Sequence, residues 1–144
     1  MHKIDHILRE RNLVTAQPHE AVYDVAQRMT GVGVGALVVV EDEHLVGIFS
    51  ERDLMTRVIV RGFDPHDVAV GDVMTREVVT AALGDRRSDC LETMKAAGCR
   101  HLPVLADGRV IGMLSMRDLL FDEIEEQGDE IRNLRAYIHQ VPLL

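Results

Sequence analysis

Residues 47–54 read GIFSERDL, and residues 112–119 read GMLSMRDL. Sliding the chain by 65 positions, Val14 onto Val79, aligns 14–54 with 79–119 without a gap, and 14 of the 41 pairs are identical. The identities include Thr15/Thr80, Asp24/Asp89, Met29/Met94, Gly33/Gly98, Val39/Val104, Asp42/Asp107, Gly47/Gly112 and Asp53/Asp118. A repeat of this length decides the architecture. Each copy has roughly 50–60 residues, too few to bury enough surface alone. The two halves are therefore expected to share an interior.

Each copy carries the same order of signals. LVTA and VVTA are short β-rich segments. Val22, Val25, Ala26 and Met29 then recur at helical spacing, as do Cys90, Leu91 and Met94. ALVVVEDEHLVGIF and HLPVLADGRVIGML are β-branched-rich runs around a polar break, the mark of a hairpin. EDEH and ADGR supply the turns, and Asp107-Gly108 is a strong turn dipeptide. Ser50 and Ser115 stand where a helix N-cap belongs. The unit reads β-α-β-β-α.

The expected fold class is α+β: two such repeats packed through their three-stranded sheets with pseudo-two-fold symmetry, plus short terminal helices. The reading divides the chain into a lead-in (1–12) with a helix over 3–11, repeat one (13–66), repeat two (67–127), and a C-terminal helix and tail (128–144). RGFDPHD (61–67) is the linker, and VGDVMTRE (70–77) leads into the second copy. A helix over 129–139 sets Ile131, Leu134 and Ile138 on one stripe. The charge run EIEEQGDE (123–130) reads as a solvated helix face or a joint.

Composition narrows the function classes. The formal net charge of −8 makes the chain a poor general partner for nucleic acid, whose phosphates it repels. An anionic ligand then needs a local basic pocket. Two cysteines, Cys90 and Cys99, make no disulfide framework and fit a reducing cytoplasm. MHKIDHILRER is charged throughout, so no signal peptide is expected. GVGVGALVVV is too short and Gly-rich to span a bilayer.

The repeated S-x-R-D has two readings from the residues alone. In one it is a capping box, with Ser as cap and Asp three residues on reaching back to the cap amide. In the other, the helix N-terminus is an anion site of free amides and positive dipole. Ser50 or Ser115 then adds a hydroxyl, and Arg52 or Arg117 a charge-assisted contact. Asp53 or Asp118 repels phosphate but suits the cis-diol of a ribose. Together the three residue types describe a nucleotide.

G-h-h-S-x-R-D-L closing a hairpin twice, with CRHLPV before the second copy, resembles a tandem pair of CBS (cystathionine β-synthase) domains over about residues 13–125. VMTREVVT between the repeats fits small stand-alone bacterial members. The resemblance implies clefts between the repeats that hold AMP, ADP, ATP, and in some members NAD or S-adenosylmethionine. It implies ribose contacts from Asp53 and Asp118, ribose-phosphate contacts from Ser50 and Ser115, and ligand contacts from Thr15 and Thr80. A basic residue before LPV often faces phosphate in the family. That role falls to Arg100 and His101, where repeat one has Gly35 and Ala36. The expectation is that the Asp118 cleft grips phosphate more tightly, while the Asp53 cleft is roomier and takes a larger ligand or none.

Other features carry less. His2 and His6 lie four apart around Asp5, but a solvated terminus explains them. Cys90 reads as a buried small hydrophobe. Cys99 stands beside Arg100, which opens a thiolate redox reading. GVGVG lacks the Lys-Ser/Thr ending of a phosphate loop. No catalytic set accompanies Ser50 or Ser115. The leading expectation is a non-catalytic sensor that reports adenine nucleotide occupancy to an effector protein. The rival is a structural dimerisation module with vestigial clefts. Both accommodate a homodimer through helices 50–61 and 115–126, which are apolar on more than one side: Leu54, Met55, Val58 and Ile59, then Leu119, Leu120, Phe121 and Ile124.

Overall fold

A computed structural model describes residues 3–8 and 13–140, with side chains to residue 136. His2 and the end of the helix expected over 3–11 lie outside the described residues. The first half contains β1 (Thr15–Ala16), α2 (Val22–Val32), β2 (Ala36–Glu41) and β3 (His44–Ser50). It closes with α3 (Glu51–Asp53), which widens at once into a π-helical stretch, Leu54–Ile59. The second half repeats the order with β4 (Ala81–Ala82), α5 (Arg87–Ala97), β5 (His101–Ala106), β6 (Arg109–Ser115) and α6 (Met116–Gln140). Each half forms one three-stranded sheet, ordered β1-β2-β3 and β4-β5-β6, and β3 meets β6 across the halves. The mixed α+β pair expected from the repeat is what forms.

The turn chemistry explains the hairpins. Asp42 and Glu43 have φ of 51° and 66°, and Asp107 and Gly108 have 51° and 77°. Two consecutive positive φ values give the turn whose twist matches paired strands. Both hairpins also shift register at equivalent points, Val39/Val40 and Val104/Leu105. α2 and α5 each stop at a left-handed glycine, Gly33 and Gly98.

The lead-in segments depart from expectation, because each packs on the other half. α4 (Val70–Val73) packs into the core of the first half. The Val70 amide donates to the Glu20 carbonyl at 2.8 Å, and Val70, Val73 and Met74 are buried with Val22, Val25, Leu37 and Phe49. Its counterpart is α1 (Asp5–Leu8), where the Ile4 amide donates to the Asp85 carbonyl at 3.1 Å. Ile4 is fully buried among Met94, Leu102, Leu114 and Leu119 of the second half. The hydrogen bonds equate Ile4 with Val70, an offset of 66, one more than the repeat itself.

This packing assigns a role to the repeated Gly47/Gly112. A Cβ on Gly47 would lie 2.8 Å from Met74 Cγ and 2.9 Å from the Thr75 carbonyl oxygen. A Cβ on Gly112 would lie 2.7 Å from Leu8 Cδ2, the end of a flexible side chain. Gly47→Ala must therefore move backbone and is expected to cost about 1–3 kcal/mol, with Gly112→Ala costing clearly less. Denaturant melts of the two variants check the order.

α6 continues through the boundary expected at 128. It runs unbroken from Met116 to Gln140, with no joint in the charge run. The Glu-rich run contains no proline, and Gly128 alone costs a helix only about 1 kcal/mol.

Candidate functional site

A cavity of about 580 Å³ opens between the halves. Gly35, Ile48, Ser50, Arg52 and Asp53 of the first half form one wall. Thr75, Glu77, Val78 and Val79, on the stretch between α4 and β4, form the second. Cys99, Arg100 and His101 of the second half form the third.

Asp53 is buried and heavily engaged. Its Oδ2 accepts from the Ser50 amide at 3.0 Å and the Ser50 hydroxyl at 3.1 Å, while the Asp53 amide donates to Ser50 Oγ at 3.2 Å. This is the full capping box. Oδ1 accepts from Thr75 Oγ1 at 3.2 Å and lies 3.6 Å from Arg57 Nε. A carboxylate oxygen has two acceptor positions, so Oδ1 is where a further hydroxyl can be added. Arg57 is itself held, donating to the Met74 carbonyl at 2.9 Å.

The helix end is less open to anions than its sequence implies. The Glu51 amide donates to the Gly35 carbonyl at 2.9 Å, and the Asp53 amide is taken by Ser50. Free amides are the basis of an N-terminal anion site, and here two of the first three are spent. Cationic side chains are present instead, with Arg52 and Arg100 both lining the cavity.

Of the residues singled out in the sequence, Gly35, Ser50, Arg52, Asp53, Arg100 and His101 share this cavity. Ala36, Thr15, Thr80, Ser115, Arg117 and Asp118 do not line it. Thr15 lies on β1, where its carbonyl accepts from Arg28 at 2.8 Å. Thr80 is exposed before β4, and its neighbours Val78 and Val79 form the wall instead. Ser115 and Asp118 carry a second capping box, with the Ser115 amide 3.0 Å from Asp118 Oδ2 and the Asp118 amide 3.1 Å from Ser115 Oγ. The Arg117 guanidinium stacks on Phe121 at 5.4 Å.

Arg100 and His101, expected on the Asp118 side, also wall the cavity that holds Asp53. The backbone stays near its own helix, since the Met116 amide donates to the Arg100 carbonyl at 2.7 Å. But β5 begins where the halves meet, so residues at its start also face the other half. Burial lowers the His101 pKa, against the opposing pull of Asp118 and Glu51, and Arg100 lowers it further. His101 is thus neutral at pH 7. Its folded pKa lies below the unfolded value, so its contribution to stability is full above about pH 6.5. That contribution should fall as pH drops through the folded pKa. Acid unfolding of His101→Gln, with this part of the slope removed, checks it.

Burial raises the Cys99 thiol pKa, the opposite of the lowering expected from a neighbouring Arg100. Cys90 is pushed up to about 11, chiefly by burial and then by Asp85 and Asp89. His6 Nε2 is bound to Asp122 Oδ1 at 2.7 Å. Among the described residues no acidic, His or Cys group of metal-site size occurs, and no helix is long and apolar enough to cross a membrane.

Sequence reasoning missed Thr75, Val78 and Val79. They lie beyond the segment that crosses over, and only its true register would have placed Thr75 beside Asp53. By that register, position 9 is the counterpart of Thr75, and it lies outside the described residues.

The family model for the CBS domain matches residues 4–60 and again 70–123. The chain belongs to the CBS domain family. Among relatives, a CBS domain-containing protein of Arabidopsis thaliana, CBSX3, mitochondrial, is 37% identical over 124 residues, covering 83% of this chain and 60% of its own length. The chain thus spans less than two thirds of that curated relative. The solved CBS domain structure NE2398 superposes with a TM-score of 0.81 at 38% identity, over 86% of this chain and 99% of that one. The CBS domain protein PAE2072 from Pyrobaculum aerophilum, solved in complex with AMP, shares the fold with a TM-score of 0.73 at 24% identity, over 81% and 88% of the two chains. The first CBS match begins at residue 4, so it includes the segment that packs on the other half.

Proposed function

We propose that this tandem CBS pair is a non-catalytic regulatory module that binds an adenine nucleotide in the cavity walled by Asp53, Arg52 and Arg100. The observation that carries the reading is one cavity offering a buried carboxylate, two guanidinium-bearing residues and apolar Ile48, Val78 and Val79. Ribose hydroxyls suit Asp53 Oδ1, phosphate suits the arginines, and adenine suits the apolar wall. AMP, ADP, ATP and NAD are the candidate ligands, and the PAE2072 complex supports AMP as the first to try. Asp118, Ser115 and Arg117 form the matching half-site for a second molecule. Occupancy would reach an effector protein through the relative pose of the halves, as far as the ligand favours one pose over the other.

Thermal shifts with AMP, ADP, ATP, NAD and S-adenosylmethionine test the reading. A ligand at about 100 times its Kd should stabilise the fold by about 2.7 kcal/mol. No shift with any of the five would remove the sensor reading.

A second reading, a dimerisation module, is favoured by the apolar surface left bare. Met55 and Ile59 are exposed, as are their repeat counterparts Leu120 and Ile124. A second copy of this chain is proposed to cover them, compatible with either function.

A further inference from the structure

The CBS match ends at residue 123, yet α6 continues to Gln140. Residues 129–136 are all exposed, so this part of the helix gains nothing from the body of its own chain. A free helix of such length is marginal in water. Its apolar residues are nevertheless ordered. Leu120, Ile124, Gln127, Ile131, Leu134 and Ile138 follow one another at alternating steps of four and three. Leu120, Ile124, Ile131 and Leu134 are 44%, 62%, 50% and 60% exposed. The stripe lies on a different side of α6 from Leu119 and Asp122, which face the body and are buried.

Four-three spacing is a heptad repeat, whose seam pairs with another helix. Ile124, Ile131 and Ile138 take the first core position of each heptad, and Leu120 and Leu134 take the second. β-branched residues at the first position with Leu at the second favour two parallel strands. The flanking charges agree. In a parallel in-register pair, Glu130 of one helix faces Arg135 of the other, five residues on. Antiparallel pairing would set like flanking positions together, Glu against Glu. Gln127 is the one polar residue on this stripe, at the second core position.

We infer that α6 from Leu120 onward is one strand of a parallel two-stranded coiled coil formed with a second copy of this chain. The inference deepens the two-copy proposal and rests on it, but not on nucleotide binding. It places the dimer axis along α6 and sets the two cavities on opposite sides of the seam.

Cysteine cross-linking of the full chain tests it. Under mild oxidation Leu134→Cys should form a covalent dimer at least tenfold faster than wild type or Asn133→Cys, whose site lies off the seam. In light scattering Leu134→Glu should weaken association at least tenfold with an unchanged melting temperature of the body. Arg135→Glu should weaken it less, and adding Glu130→Arg should restore it. Equal cross-linking at 133 and 134 would overturn the coiled coil. So would a dimer that survives Leu134→Glu but is lost in Ile59→Glu, which would leave the second copy on the other face. A wild-type monomer would overturn both.

Discussion

Arg87→Ala is expected to destabilise the fold by about 3–5 kcal/mol. The guanidinium is buried, donating to Asp122 Oδ2 at 2.8 Å and pairing with Glu126 at 2.5 Å, while His6 meets Asp122 Oδ1 at 2.7 Å. Asp122 and Arg87 side chains are each only 10% exposed. Removing the arginine leaves a carboxylate buried without its main counter-charge, and that residual charge, more than the lost attraction, sets the cost. The cluster ties α5, α6 and α1 together, so the loss should unfold the second half and its borrowed lead-in as one unit. The repeat counterparts of Arg87 and Asp122 are Val22 and Arg57, and Val22 is fully buried without any such network. An apolar solution therefore works in the same fold. Arg87→Met combined with Asp122→Leu should lose less than Arg87→Ala alone. Urea unfolding of the single and double variants decides it, and a single-variant loss below about 1 kcal/mol would contradict the account.

The second large effect concerns Asp53. Asp53→Ala is expected to weaken adenine nucleotide binding by at least about 100-fold, from the loss of charge-assisted bonds to the ribose at about 1.5–3 kcal/mol each. The same change removes the capping box, a stability cost of about 1 kcal/mol. Thr75→Val separates the two. It deletes the hydroxyl on Oδ1 but leaves the Ser50–Asp53 box intact, so it should alter affinity while barely moving the cap. An affinity that follows stability across these variants, and not the carboxylate, would count against a direct contact.

How much of this was legible in the sequence depends on whether a contact is local. The hairpin turns at Asp42-Glu43 and Asp107-Gly108 and the capping serines depend on residues a few positions apart, and the structure has them as read. The crossed lead-ins were not legible. Ile4–Leu8 and Val70–Met74 share an apolar pattern but no identity, and their offset of 66 breaks step with the repeat's 65. That Arg100 also lines the Asp53 cavity was not legible, because linear pairing puts a residue with its own repeat, whereas the cavity is walled by both. The helix end at Ser50 looked like an open anion site because nothing in GIFSERDL reveals that the Gly35 carbonyl takes the Glu51 amide. Arg87 stands where the other copy has valine, and its partners are 35 and 39 residues further on.

In the proposed binding mode, a basic residue of the second half and a carboxylate of the first serve one ligand. Calorimetric titration of AMP into wild type, Asp53→Ala, Arg100→Ala and Asp118→Ala tests it most directly. The prediction is a site abolished by Asp53→Ala and weakened about tenfold by Arg100→Ala, as expected for one charge-assisted contact of about 1.4 kcal/mol. Unchanged affinity in Arg100→Ala would contradict it, and so would binding lost in Asp118→Ala but kept in Asp53→Ala.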